Sequence, residues 1–267
     1  MLIDTHTHLD APQFDADRDA VVQRARDAGV GMMIVLPGAV AHFASVRDCA
    51  HRYGFAYTLG IHPLWALRAQ PGDVERVREA VAQAMADPRF VGVGEIGLDF
   101  FVPELCTDEA RAIQEQLYRE QLKIARDFGL PVVLHVRRSQ DVLLKHLRRI
   151  AVGGGFAHAF NGSEDQARAF IGLGFKLGFG GAVTYNGSQR IQRHARLLPA
   201  DALVLETDAP DIPPEWITKE RNEPAHLARI AAFVAQLRGI TAEDLAAQTL
   251  RNAQSAMPRL QALMEPR

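Results

Sequence analysis

Short apolar runs recur along the chain, and between them the apolar residues fall at helical spacing. The runs LID (2–4), MMIVL (32–36), FAYTL (55–59), FVGV (90–93), PVVL (131–134), GGFA (154–157), FKLGF (175–179) and ALVL (202–205) are too short for helices. Continuous runs of this length mark strands buried on both faces, as in a parallel sheet. The intervening stretches predict helices over 16–28, 41–53, 73–86, 108–128, 139–150, 163–173 and 188–197, with Gly29 and Gly54 closing the first two. Two further helices are predicted over 223–237 and 242–263. Eight strands, most of them followed by a helix, predict an α/β fold, a single (β/α)8 TIM barrel over residues 1–267, near the ~250 residues usual for it. No internal repeat, low-complexity segment or linker divides the chain.

Composition narrows the function classes. A hydrophobic fraction of 48% suits a globular protein with a sizeable core. The net charge of −2 gives no basic footprint over the whole molecule, so a nucleic-acid substrate would have to be met by local positive charge. The N-terminus MLIDTHTHLD lacks the basic and apolar regions of a signal peptide, and no window reaches the ~18 apolar residues of a membrane span. Cys49 and Cys106 lie outside any metal-type spacing and are expected to be reduced thiols in a cytoplasmic protein.

The chemistry is expected where the apolar runs end. His6, His8, Glu95, His135, His158 and Asp208 each follow or close such a run. Side chains from the ends of separate strands can meet only if the strands are parallel neighbours, and a barrel gathers those ends on one face. His6 and His8, with Asp4, are spaced by two and so share one side of their strand. Glu95 stands among Val and Gly, where a carboxylate is costly unless it is paired or bound to a cation. Asp208 shares a strand face with Glu206, and two inward carboxylates repel unless cations or donors lie between them. Four imidazoles and two carboxylates together make a divalent-metal site, whose histidines favour zinc or manganese over magnesium on softness. Of the ten histidines, His42, His51, His146, His194 and His226 fall in predicted helices and are expected on the surface.

Seven segments in order carry a family resemblance: DTHTHL (4–9), GIHP (60–63), GEIGLDF (94–100), PVVLHVR (131–137), FAHAFNGS (156–163), ETDAP (206–210) and RNEP (221–224). Together they resemble the TatD family of metal-dependent deoxyribonucleases, within the amidohydrolase-like TIM barrels, and look most like its YjjV-like branch. The resemblance covers residues 1 to about 255 and implies a dinuclear site. Glu95 would be the bridging carboxylate, His6, His8 and Asp208 would hold one ion, and His135 and His158 the other. It implies activity with Mg²⁺ or Mn²⁺, whereas the donor set suits Zn²⁺ as a bound ion. No lysine in a matching strand offers the carboxylated bridge that other barrel hydrolases use. Asp4 belongs to the motif but is expected to touch a ligand rather than an ion. Ala159-Phe160-Asn161 replaces the Cys-Phe-Ser common in the family, which affects the expected substrate loop.

From these parts the expected activity is hydrolysis of a DNA phosphodiester, at ends or in single strands, by an exonuclease-like enzyme. Two ions would activate water and clamp the phosphate oxygens, with Asp208 and Glu95 catalytic and Asp208 taking up the proton. His62 and Arg137 are the expected phosphate contacts, since both follow strands on the active face and a guanidinium fork suits phosphate. Arg221 and Asn222 are candidate substrate contacts, although Asn222 also reads as a helix N-cap before Pro224. Trp65 could stack on a base. A nuclease should gather Arg137, Arg138, Lys219 and Arg221 around the ions. The alternatives are a metal-dependent hydrolase of an ester or amide, in a small molecule or an aminoacyl-tRNA, and a non-catalytic metal-bound binding protein. No membrane association and no obligate protein partner is expected.

Overall fold

The computed structural model describes residues 1–217 and 220–264. Eight strands, β1 (Leu2–Thr7), β2 (Val30–Val35), β3 (Ala56–Leu59), β4 (Phe90–Asp99), β5 (Val132–Arg137), β6 (Gly155–Ala157), β7 (Phe175–Phe179) and β8 (Leu203–Leu205), form one sheet in sequence order. Every neighbouring pair is parallel. The sheet curls into a nearly closed barrel with helices α1 (Arg18–Asp27), α2 (Phe43–Tyr53), α3 (Asp73–Ala84), α4 (Asp108–Asp127), α5 (Gln140–Leu147), α6 (Glu164–Gly172) and α7 (Gln189–Leu197) between the strands. After β8 come α8 (Leu227–Arg238), α9 (Ala242–Ala256) and α10 (Pro258–Met264). Side-chain caps fix several helix starts. Thr107 accepts from the Ala110 N–H, Thr241 from that of Asp244, and Ser163 forms a reciprocal capping box with Gln166. No helix among the described residues is long and apolar enough to cross a membrane.

The barrel closes between β1 and β8 through the segment that follows β8. His8 N–H donates to Ala209 O and Asp208 N–H to His6 O, both at 2.8 Å. Buried Asp4 reinforces this seam by accepting from the Thr207 N–H at 3.0 Å and the Thr207 hydroxyl at 2.5 Å. Thr5 Oγ1 donates to Leu205 O at 3.0 Å. Asp4 thus clasps the two ends of the sheet through Thr207.

Three expectations need correction. β4 runs to Asp99, so Glu95 lies inside a strand and not at its end. Its pairing with β5 slips between Val93 and Ile96, where two β4 residues, Gly94 and Glu95, oppose one of β5, a bulge that re-aims a side chain. Glycine is needed there. A Cβ at Gly94 would crowd Val133 at 2.8 Å, and Gly97 has φ 146 with its Cβ position overlapping His135 O. The last predicted helix is broken at Pro258, which has no N–H to continue α9, and Met257 before it turns to extended backbone. Finally, His146 and His194 are buried. His146 Nε2 pairs with Glu115 Oε2 and His194 Nε2 with Gly162 O, each at 2.9 Å, so both are satisfied structural histidines. His51 is exposed as expected, and His42 and His226 are half-buried.

Candidate metal centre

All six strand-linked residues converge at the end of the barrel where the strands finish. The two oxygens of Glu95, itself 1% exposed, face different partners. Oε2 lies 2.9 Å from His6 Nε2 and 3.6 Å from His8 Nε2, whereas Oε1 lies 2.9 Å from His135 Nδ1. Asp208 spans similarly. Its Oδ1 is 3.5 Å from both His6 Nε2 and His8 Nε2, and its Oδ2 is 3.5 Å from His158 Nε2. Two donors at ~2.0–2.1 Å from one ion, at a tetrahedral angle, stand roughly 3.3–3.4 Å apart. The set His6, His8 and Asp208 has that spacing, and its ligand atoms lie within 4.8 Å of one another, as do those of His6, Glu95 and His158.

Unsatisfied atoms point the same way. His6 Nε2 and Glu95 Oε2 lie 2.9 Å apart, yet both are buried without an aligned hydrogen bond. Buried polar atoms are normally satisfied, so near neighbours that fail to align are better explained as donors aimed at a shared point. The residues present therefore fit divalent cations.

Neighbouring groups fix which ring nitrogen is free. His8 Nδ1 donates to Leu36 O at 2.9 Å and His158 Nδ1 faces Glu206 Oε1 at 2.9 Å, leaving Nε2 of each for the centre. His135 is reversed: its Nε2 faces Asp99 Oδ2 at 3.0 Å, so Nδ1 faces inward. His62 also enters the cluster, with Nε2 3.3 Å from Glu95 Oε1 and 3.0 Å from His135 Nδ1. Its Nδ1, however, accepts the Leu64 N–H at 3.0 Å, so in the neutral ring Nε2 carries the proton. His62 is a proton donor at the site's edge, not a lone pair for an ion. Burial pushes it down to about 4, which keeps it neutral.

The charges are strongly coupled. Burial opposes ionisation of Glu95 and Asp208, yet the surrounding imidazoles hold both carboxyls well below the usual range. Burial disfavours charge on His8 as well, but its bond to Asp208 lifts it to about 9. Asp4 is raised to about 7 by burial, against its bonds from Thr207.

The four expected substrate contacts separate. His62 is in the cluster, and Arg137, 47% exposed, reaches toward it with Nη1 3.7 Å from Asp99 Oδ2. Arg221 instead binds Asp17 Oδ2 at 2.5 Å and Glu223 Oε1 at 3.0 Å, a surface network shared with Arg24 that neutralises its guanidinium. Asn222 is fully buried. Its Nδ2 donates to Thr207 O at 2.7 Å and Asp211 O at 2.8 Å, which braces the segment carrying Asp208 and leaves nothing for a substrate. Of the expected basic group, Arg137 reaches Asp99 behind His135, Arg138 lies over the Phe101 ring, Arg221 is already paired, and Lys219 lies outside the described residues. Trp65 packs edge-on against His42 with Arg68 over its ring, part of the wall and not an open face. Both cysteines are free. Two contributors went unread in the sequence. Asp99, visible in GLDF, holds His135, and Gly178 supplies the space that the Glu206 carboxylate occupies behind His158.

A parallel barrel with imidazoles and carboxylates converging at its strand ends suits a metal-dependent hydrolase. The chain belongs to the TatD family, matching the family described as TatD related DNase over residues 3–258. It is 39% identical over 252 residues to the metal-dependent hydrolase YjjV of Escherichia coli, covering 94% of this chain and 95% of that protein. It is 29% identical over 270 residues to the Homo sapiens deoxyribonuclease TATDN3, covering 99% and 97%. The crystal structure of E. coli YjjV superposes with a TM-score of 0.90 at 38% identity, over 96% of this chain and 98% of that one.

Proposed function

We propose that the chain is a dinuclear phosphodiester hydrolase acting on DNA ends or single strands, with residues 1–267 as one domain. The observation that carries this is Glu95, whose two oxygens face separate donor groups as a bridging carboxylate's would. His6, His8 and Asp208 would hold one ion, His135 and His158 the other, and Glu95 both. Mg²⁺ or Mn²⁺ suits turnover and Zn²⁺ suits the imidazole-rich donor set. Bound ions supply Lewis acidity for the phosphoryl charge and make water a usable nucleophile near neutral pH.

The chain's own residues do the rest. Asp208, ionised at neutral pH, is the base that takes the proton from the attacking water. His62 Nε2–H donates to a phosphate oxygen, a role its Leu64 contact prepares by fixing the tautomer. Arg137 meets the phosphate from the rim. A DNA substrate is favoured by the name of the human relative and by the unneutralised arginines beside the centre.

The test is hydrolysis of a 3′- or 5′-labelled single-stranded oligonucleotide by metal-stripped protein with Mg²⁺, Mn²⁺ or Zn²⁺ restored, and Glu95→Ala as control. Metal-dependent cleavage that disappears in the variant is expected, and its ladder gives the polarity. Full occupancy by metal with no cleavage under any ion would overturn the nuclease and favour an ester or amide substrate.

A further inference from the structure

Beside the centre stands a group that this mechanism leaves unused. Phe101 is 44% exposed, yet its position is fixed. The Phe101 and Val102 N–H groups donate to Asp99 Oδ1 at 2.8 and 3.0 Å, and the Phe100 N–H donates to Arg137 O at 2.9 Å. The next loop is tied to the same strand by Ser139 Oγ donating to Leu98 O at 2.7 Å. Two guanidinium groups lie against the ring, Arg137 Cζ at 3.9 Å and Arg138 Cζ at 4.6 Å from its centroid. Arg138 adopts φ 55, the left-handed conformation that a residue with a Cβ avoids, and so turns its side chain back over Phe101.

Several arginines near the surface are spent on carboxylates, as Arg24, Arg52 and Arg221 are. Arg138 forms no salt bridge among the described residues, and Arg137 reaches only Asp99 at 3.7 Å. Asp99 Oδ2 is in turn 3.0 Å from His135 Nε2, so Arg137 is separated from the proposed ions by one carboxylate and one imidazole. An exposed ring with guanidinium groups against it offers N–H donors to an anion and a cationic surface to a second ring.

We propose that Phe101 and Arg138, with Arg137, form a nucleotide subsite for the unit adjoining the bond to be cut. The guanidinium groups take its phosphate, and the exposed ring takes its base whatever the sequence. The subsite deepens the nuclease reading and rests on it for its place in the reaction, but its ligand chemistry can be tested separately. Calorimetry on the metal-loaded protein would compare thymidine 5′-phosphate with 2-deoxyribose 5-phosphate, which lacks the base. KM would be measured for a single-stranded oligonucleotide and for one with an abasic unit beside the cut.

Wild type should bind thymidine 5′-phosphate more tightly than the sugar phosphate. Phe101→Ala should weaken the nucleotide about tenfold while sparing the sugar phosphate, Phe101→Trp should restore it, and Arg138→Gln should weaken both. Phe101→Ala should also abolish the KM difference between the two oligonucleotides at unchanged metal content. Cleavage of DNA by wild type with nucleotide binding and KM unaltered in Phe101→Ala would remove the subsite and leave the nuclease. Phe101-dependent nucleotide binding without cleavage under any metal would do the reverse. Equal affinity of wild type for the two small ligands, or equal loss of both in Phe101→Ala, would overturn the subsite.

Discussion

Asn222→Ala separates a substrate contact from a structural brace. The native amide donates to Thr207 O and Asp211 O at 2.7 and 2.8 Å, and its Oδ1 accepts the Glu223 N–H at 3.0 Å. Truncation leaves the buried Thr207 carbonyl and the more exposed Asp211 carbonyl without their donor. The buried group costs about 1–3 kcal/mol and the exposed one less, so the variant should lose roughly 2–4 kcal/mol of stability. For a chain of this size, roughly 2–4 °C per kcal/mol puts the fall in Tm at about 5–15 °C. The braced segment carries Asp208, so affinity for the ion shared with His6 and His8 should weaken too. Asn222→Asp should be worse than Ala, because a carboxylate would then face the same carbonyl oxygens. Scanning calorimetry and a chelator competition for Zn²⁺ measure the two effects. Wild-type melting and metal affinity in Asn222→Ala, with KM for the oligonucleotide raised, would refute the brace and restore Asn222 as a substrate contact.

Two further perturbations probe the surroundings. Gly178→Ala puts a Cβ into the space of the Glu206 carboxylate, costing about 1–3 kcal/mol in overpacking and pushing that group off His158. Metal affinity should then fall roughly 10–100-fold, as measured by chelator competition; unchanged affinity would show that Glu206 does not position His158. Burial opposes the charge of Glu223, but bonds from Arg24 and Arg221 hold its carboxyl below the ordinary glutamate value of 4.5. Its contribution to stability is therefore complete above that pH and lost as pH falls through the lower folded value. Glu223→Gln should melt below wild type at pH 7, with the gap closing under acid; a gap that persists to pH 3 would contradict this.

Much of the barrel was legible because strands buried on both faces read as unbroken apolar runs, and the chemistry sits just past their ends. His6, His8, His135, His158 and Asp208 could be found in that way. Glu95 was found, but not its setting: the β4 bulge depends on close packing against Val133 and His135, which neighbouring letters do not specify. The partners that Arg221 and Asn222 have within the protein were not legible for a related reason. Their partners, Asp17 and the carbonyls of residues 207–211, are distant or belong to the backbone, so no local pattern announces that they are occupied. His146 and His194 lie on amphipathic helices whose buried side cannot be fixed to one residue by periodicity alone. The break at Pro258, by contrast, was visible in the sequence and was missed.

The clasp between β1 and the segment after β8 has a consequence for how the protein is made. His6 and His8 leave the ribosome with the first strand, but Asp208 follows some two hundred residues later. Until then no emerging chain can complete the set His6, His8 and Asp208. Its assembly is a long-range event of the kind that comes late in folding, because the loop must close before the contact contributes. An ion captured there would favour only chains whose two ends have met, so the site proposed for turnover would also mark the finished barrel.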